Sequence, residues 1–342
     1  MTETDEQIID ALDRRVQRRT ERRDVFRAVL GAAAVGAGAF AFATAADAQT
    51  VSDADILNFA LNLEYLEAQF YSYAFNGTGL PANLLTGTGA QGTVSTTGAA
   101  PPRAVNFVGE PVIQQYAREI SQDEVAHVAF LRTALNTAAV AQPALNISGD
   151  ANGAFTAAAR AAGIATVDGT YNGTPSANGT FDPYSSPNAF LLGSFIFEDV
   201  GVTAYKGASP LITSTTFLDA AAGILAAEAF HAGIIRGSLY ARGVATPSLR
   251  TAAGAVAAAP DTLDGTSVLE QGIAPQATPL NVASGSSAGT GSNFVPTDGN
   301  GITYSRSANQ VLNIVYLNKN AVTLGGFFPA GVNGTIRTSA AN

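Results

Sequence analysis

Glu124-Val-Ala-His127 and Glu228-Ala-Phe-His231 share one four-residue pattern, Glu-x-x-His, and between them use both histidines of a 342-residue chain. In a helix, residues three apart lie on one face about one turn apart. A carboxylate and an imidazole so placed can hold the same metal ion. A single glutamate stands ahead of each pair, Glu64 before the first and Glu198 before the second. The order Glu, then Glu-x-x-His, therefore occurs twice. This reading predicts four helices that bring six side chains to one centre.

Working outward, each of these residues sits in an apolar row of helical spacing. The first helix is expected from about Ser52, a candidate N-cap, to Ala74, with Ile56, Phe59, Ala60, Leu63, Phe70 and Ala74 facing inward. Glu64, Glu67 and Tyr71 fall on that same stripe. No Lys or Arg occurs from Gly31 to Pro102, so no intrahelical ion pair can neutralise these carboxylates. Carboxylates facing a core are costly unless paired or metal-bound. The second helix runs from Pro111 to about Ala138, with Ile113, Ala117, Ile120, Glu124, His127, Val128 and Leu131 in one row. Glu119 and Asp123 lie off that row and read as solvated charges.

A third helix from about Asn188 carries Leu191, Ser194, Phe195, Glu198, Val202 and Tyr205. Asp199 points elsewhere and reads as a surface charge. The fourth, Phe217 to Arg242, aligns Ala221, Ile224, Glu228, His231, Ile235 and Leu239, with Arg236 off the Glu228/His231 row. Glu64 to Tyr71 and Glu198 to Tyr205 are both steps of seven, two helical turns. Each tyrosine thus shares its glutamate's face and could hydrogen-bond a ligand of the centre.

Gly, Thr, Asn and Pro dominate the connections at 76–109 and 139–186, which read as irregular excursions with one short helix, Ala154 to Ala162. Another short helix is expected from Leu249 to Ala258. Residues 261–342 form a Gly/Ser/Thr/Asn-rich tail with two apolar pieces. One, Val311 to Leu317, fits a strand or a short helix equally well. The other is Gly325-Gly326-Phe327-Phe328-Pro329. The tail is expected to pack on the bundle or on a neighbouring subunit.

The N-terminus reads as an address. Arg22-Arg23-Asp24-Val25-Phe26-Arg27 precedes an Ala/Gly-rich run from Ala28 to Ala46, and Ala46-Asp47-Ala48 is a small-x-small cleavage pattern. Residues 1–48 therefore resemble a twin-arginine export signal, with an uncleaved membrane anchor as the alternative. After residue 48 no apolar stretch reads as long enough to be a transmembrane helix. The expected location is periplasmic or extracellular.

Composition narrows the chemistry. There is no Cys, so disulfides, thiolate metal sites and thiol nucleophiles are excluded. There is also no Trp, and Met1 is the only methionine, which leaves oxidants few easy targets. A net charge of −9 argues against nucleic acid as a partner.

With these residues assembled, the chain resembles the ferritin-like superfamily, in particular its exported and desiccation-related group. Leu61-Asn62-Leu63-Glu64-Tyr65-Leu66-Glu67-Ala68-Gln69-Phe70-Tyr71, Asp123-Glu124-Val125-Ala126-His127-Val128 and the tail's Gly325-Gly-Phe-Phe-Pro329 carry the likeness. It covers roughly residues 52–242. The resemblance implies an all-α fold, a ferritin-like four-helix bundle with long irregular insertions and a Gly/Ser/Asn-rich C-terminal extension. The divisions expected are 1–48 for the signal, 49–260 for the bundle and 261–342 for the extension.

By similarity to bacterioferritin and rubrerythrin, Glu124 and Glu228 would bridge two metal ions, iron or manganese. Glu64 and Glu198 would cap one ion each, and His127 and His231 would add one nitrogen each. Glu67 faces inward without a counterpart, since Gly201 stands at the equivalent place. It is left as an extra ligand, an alternative to Glu64, or a gate. The long insertions and tail argue against a hollow storage shell, and the lack of cysteines against a rubredoxin-like relay.

Two functions follow from the resemblance. One is a dimetal oxidoreductase, ferroxidase-like or catalase-like, that takes O₂ or peroxide as its small-molecule substrate. The other is a stress-related structural or interaction protein that uses the bundle as a scaffold. A homo-oligomer is expected in either case.

Overall fold

The computed structural model describes residues 51–169, 171–278 and 289–342, and the export signal read over residues 1–48 lies outside them. Helix α1, Asp53–Asn76, starts where Ser52 and Asp55 cap each other reciprocally. It stops at Gly77, whose φ of 74° is a left-handed conformation that glycine adopts without strain. Helix α2, Pro111–Leu135, opens on a proline at its first position, where the missing N–H costs nothing. It ends three residues before the expected Ala138, because Asn136 turns to a φ of 50° and the chain tightens into a 3-10 turn.

The short helix α3 spans Ala154–Ala161. Helix α4, Pro187–Ala208, and helix α5, Thr215–Ala245, begin at Ser186 and Ser214, whose hydroxyls accept from the backbone three residues on. Helices α1 and α2 pack side by side, as do α4 and α5. The two pairs meet with α1 against α4 and α2 against α5. This is the expected all-α four-helix bundle.

Around it lie α6, Pro247–Ala258, against α4 and α5, and α7, Ala308–Val315, against α4. The apolar piece at 311–317, open between strand and helix, is helical because Ser307 and Gln310 form a capping box ahead of it. Among the described residues the extended structure is slight: an antiparallel pair, β1 at Gln276–Thr278 and β2 at Gly289–Gly291, and a few isolated bridges.

The tail forms a second layer over the bundle. Asn333 is the clasp: its backbone exchanges hydrogen bonds of 2.9 Å with the Asn62 side chain on α1. Its own amide reaches Ala90 and Ala141 in the two inter-helix connections. Phe327 sits 5.3 Å from Phe155 and 5.2 Å from Phe197, ring centre to ring centre, and joins an aromatic cluster around Phe70. This cover explains why α4 is buried on all sides from Ala189 to Tyr205, and not on one stripe alone.

Three expectations are corrected here. Asp199 is buried, not a surface charge, and Arg236 is its counter-ion. The Arg236 guanidinium also donates to the carbonyls of Gln271, Gly272, Asn293 and Phe294, so one buried cation ties α5 to the chain beyond α6. The pairing was invisible from helix periodicity because it joins two separate helices and a segment without regular structure. Finally, α5 is long and apolar enough to cross a membrane, with a mean hydropathy of 1.4 over its best 18 residues. Its buried positions nevertheless include Glu228, His231 and Arg236, so it serves as a bundle helix.

A second buried cation, Arg306, lies 2.6 Å from both Asp264 and Glu270, and its Nη1 also donates to the Thr203 hydroxyl on α4 at 3.0 Å. Removing one member of such a set strands the others away from water, at a typical cost of 3–5 kcal/mol. Arg306→Met should therefore lower the unfolding free energy by about 3 kcal/mol or more, read by urea titration with helix content as the probe.

Candidate metal centre

Each of the four long helices contributes one carboxylate to the middle of the bundle, and α2 and α5 add an imidazole one turn further on. Glu64, Glu124, Glu198 and Glu228 are all fully buried. His127 Nδ1 lies 3.2 Å from Glu64, 3.5 Å from Glu124 and 3.9 Å from Glu228. His231 Nδ1 lies 3.1 Å from Glu124 and 3.4 Å from Glu198. The two rings are 6.2 Å apart, centre to centre. All six residues expected from the sequence are thus brought together, and both imidazoles turn a nitrogen inward.

They form two overlapping donor sets. One is Glu64, Glu124, His127 and Glu228; the other is Glu124, Glu198, Glu228 and His231, with ligand atoms in each set within 4.8 Å of one another. Glu124 and Glu228 belong to both sets.

The two tyrosines sharpen the pattern. Tyr71 on α1 donates to Glu198 Oε1 on α4, and Tyr205 on α4 donates to Glu64 Oε1 on α1. Each therefore serves the glutamate of the other half, not the one seven residues before it. One oxygen of each outer carboxylate is occupied in this way. The atoms left without a hydrogen-bond partner are Glu64 Oε2, Glu198 Oε2, both oxygens of Glu124 and of Glu228, and Nδ1 of each histidine. These supply four donors to each position. Buried polar atoms are rarely left without partners in folded proteins, so this convergence fits a pair of cations.

Electrostatics points the same way. Burial, with Glu124 adding repulsion, pushes Glu64 up to about 7. Burial and the neighbouring glutamates push Glu228 and Glu67 well above the usual carboxylate range. Burial acts on Glu124 too, but the imidazoles on either side outweigh it and hold it down to about 2. Burial alone would discourage charge on the histidines. Against it, Glu64 and Glu124 push His127 up to about 11, and Glu198 and Glu124 push His231 up to about 12. Two divalent cations would offset four carboxylates and leave the imidazoles neutral, as ligands must be. Oxygen and nitrogen donors of this mix suit iron, manganese or zinc.

Glu67 is buried but belongs to neither donor set. It lies beside Gly201, where a Cβ would come within 2.4 Å of Glu228 Oε2 and 3.5 Å of Glu67 Oε1. Gly201 thus leaves the space in which Glu228 reaches the centre. Asp123, expected as a solvated charge, is a residue that periodicity missed. Its Oδ2 lies 3.1 Å from His231 Nε2, so it holds the ring from behind although its own side chain is 48% exposed. The available signal was its place directly before Glu124, a position held by Ala227 before Glu228.

The chain is similar to known proteins. The chain is 26% identical over 295 residues to a ferritin-like catalase, Nec2, of Nesocodon mauritianus, which covers 83% of this chain and 85% of that protein. It is 28% identical over 191 residues to the desiccation-related protein PCC13-62 of Craterostigma plantagineum, covering 56% and 54% respectively. The family model described as a ferritin-like domain matches residues 52–241, more than half of the sequence and all four bundle helices up to the last turns of α5. On that match, over the residues that build the bundle and its buried Glu/His cluster, the chain belongs to the ferritin-like domain family.

Proposed function

We propose that this protein is an exported dimetal-carboxylate oxidoreductase that holds two iron or manganese ions and consumes O₂ or peroxide. The observation that carries the reading is the set of unpartnered ligand atoms, four for each of two positions that share Glu124 and Glu228. A pair of redox-active ions so close together supplies two-electron exchange with a small oxidant. The residues of the chain do the rest. Glu124 and Glu228 would be shared by the two ions, Glu64 and Glu198 would each serve one, and Tyr71 and Tyr205 each hold one of these outer carboxylates so that its other oxygen is left free of hydrogen bonds.

Peroxide is the preferred substrate because the relative matched over most of both chains is named a catalase. Fe(II) oxidation is the alternative chemistry of the same residues. Export by the twin-arginine route, to the periplasm or the outside, belongs to the proposal and rests on residues 22–48. So does self-association, which is supported by exposed apolar side chains on α2 and α5: Phe230 is 75% exposed and Phe130 46%.

A second reading, a stress-related structural protein, is supported by the similarity to the desiccation-related protein. Steady-state assays separate the two. The protein purified from its native compartment should release O₂ from hydrogen peroxide; self-assembly on size exclusion with no redox turnover would favour the scaffold.

Elemental analysis of the same preparation should find about two metal ions per chain, with strong loss in Glu124→Ala and in Glu228→Ala. Gly201→Ala should weaken metal retention about 10- to 100-fold while leaving helix content unchanged, because the added methyl displaces the tip of Glu228 and no backbone.

Removing the metals should also reverse the pH dependence of stability. Glu64, His127 and His231 are all held above their ordinary values, so each stabilises the metal-free fold fully at low pH and loses that contribution as pH rises through its raised value. The metal-free protein should therefore melt higher at pH 5.5 than at pH 8. The loaded protein should show the opposite order, since binding displaces protons and tightens as pH rises. Paired thermal melts at the two pH values, before and after chelation, check this.

A further inference from the structure

We propose that the two metal positions are unequal: the position on His231 retains its ion, and the position on His127 exchanges it through an opening between α2 and α5. This inference rests on the dimetal reading above and concerns a difference within it.

The carboxylate donors do not distinguish the positions. Each takes one outer glutamate, whose second oxygen is held by a tyrosine, and each shares Glu124 and Glu228. The imidazoles do distinguish them. His231 Nε2 is 3.1 Å from Asp123 Oδ2, while its Nδ1 faces Glu124 and Glu198. A carboxylate behind a ligating histidine fixes its tautomer and ring orientation and raises its basicity. Among the described residues His127 meets carboxylates through Nδ1 alone. The sequence explains why: Asp123 directly precedes Glu124, but Ala227 directly precedes Glu228. The repeat that built the centre is broken at this one place.

Access differs in the same sense. The His231 side chain is 3% exposed and that of His127 is 12%. His127 lines an open concavity between α2 and α5 with Phe130, Thr216, Asp219, Gly223 and Ile224. An ion on this side meets water past a single ring that nothing holds from behind, and Asp219 places a carboxylate at the mouth. The ion on His231 is enclosed, and its ring is fixed.

The test is a titration of the full chain, stripped by chelator, with Mn²⁺, following the free ion by electron paramagnetic resonance. The parent should take up about one ion per chain in a tight step and a second at least tenfold more weakly. Asp123→Ala, a change at a half-exposed side chain, should weaken the tight step about 10- to 100-fold and bring the two together. Ala227→Asp should supply the missing carboxylate behind His127 and tighten the second step. Two ions bound with one affinity in the parent, or a tight step indifferent to Asp123→Ala, would overturn the inference and leave the dimetal centre standing. Absence of any Mn²⁺ uptake by the parent would overturn both.

Discussion

Four carboxylates and two imidazoles removed from water set the terms for everything else in this structure. The effective cost of burying a charge is several kcal/mol per ion, recovered only where opposite charge and well-placed donors meet it. Here the carboxylates face one another across the bundle axis and repel, and the imidazoles between them offer at most two positive charges. A pair of cations would resolve the conflict where an apolar repacking would not, because eight oxygen and nitrogen atoms without hydrogen-bond partners converge on two places. The bundle is thereby a frame whose interior is incomplete in protein terms alone.

The frame is stiffened crosswise. Tyr71 and Tyr205 each run from one helix pair to the outer glutamate of the other, so α1 and α4 are joined at the level of the centre by two short hydrogen bonds. Gly201 gives Glu228 its room, and Asp123 gives His231 its orientation. None of these four residues is in either donor set, yet each determines where a donor atom lies. Their placement on three different helices means that small shifts of one helix against another would be felt at the centre.

The irregular segments of the chain complete the enclosure. The connections after α1 and α2 run beside each other, and Asn333 fastens both to α1. The Arg236 and Arg306 networks tie the segments beyond α6 to α5 and α4. Arg236 takes this part by donating to carbonyls of segments that lack helix or strand partners, and Arg306 by pairing with Asp264 and Glu270. The seal over α4 keeps water from the Glu198 side, whereas the α2–α5 side stays open at His127.

The primary sequence by itself determined the bundle and its six inward Glu and His side chains. A three-residue step in a helix puts a Glu and a His on one face whatever surrounds them, and a core stripe admits a carboxylate only with compensation. For the same reason the helix starts at Ser52 and Pro111 are legible locally, the first as a cap for its own first turn and the second as a proline where no N–H is needed, whereas the caps at Ser186 and Ser214 appear only in the structure, two or three residues ahead of the expected starts. Tertiary structure alone decided the rest. It decided that Tyr71 serves Glu198 and not Glu64, that Asp199 and Arg236 are buried partners, and that Asp123 belongs to the centre. Each of these is a contact between residues 37 to 127 positions apart. Periodicity reports which face a side chain occupies on its own helix; the approach of a second helix or a loop to that face is written only in three dimensions.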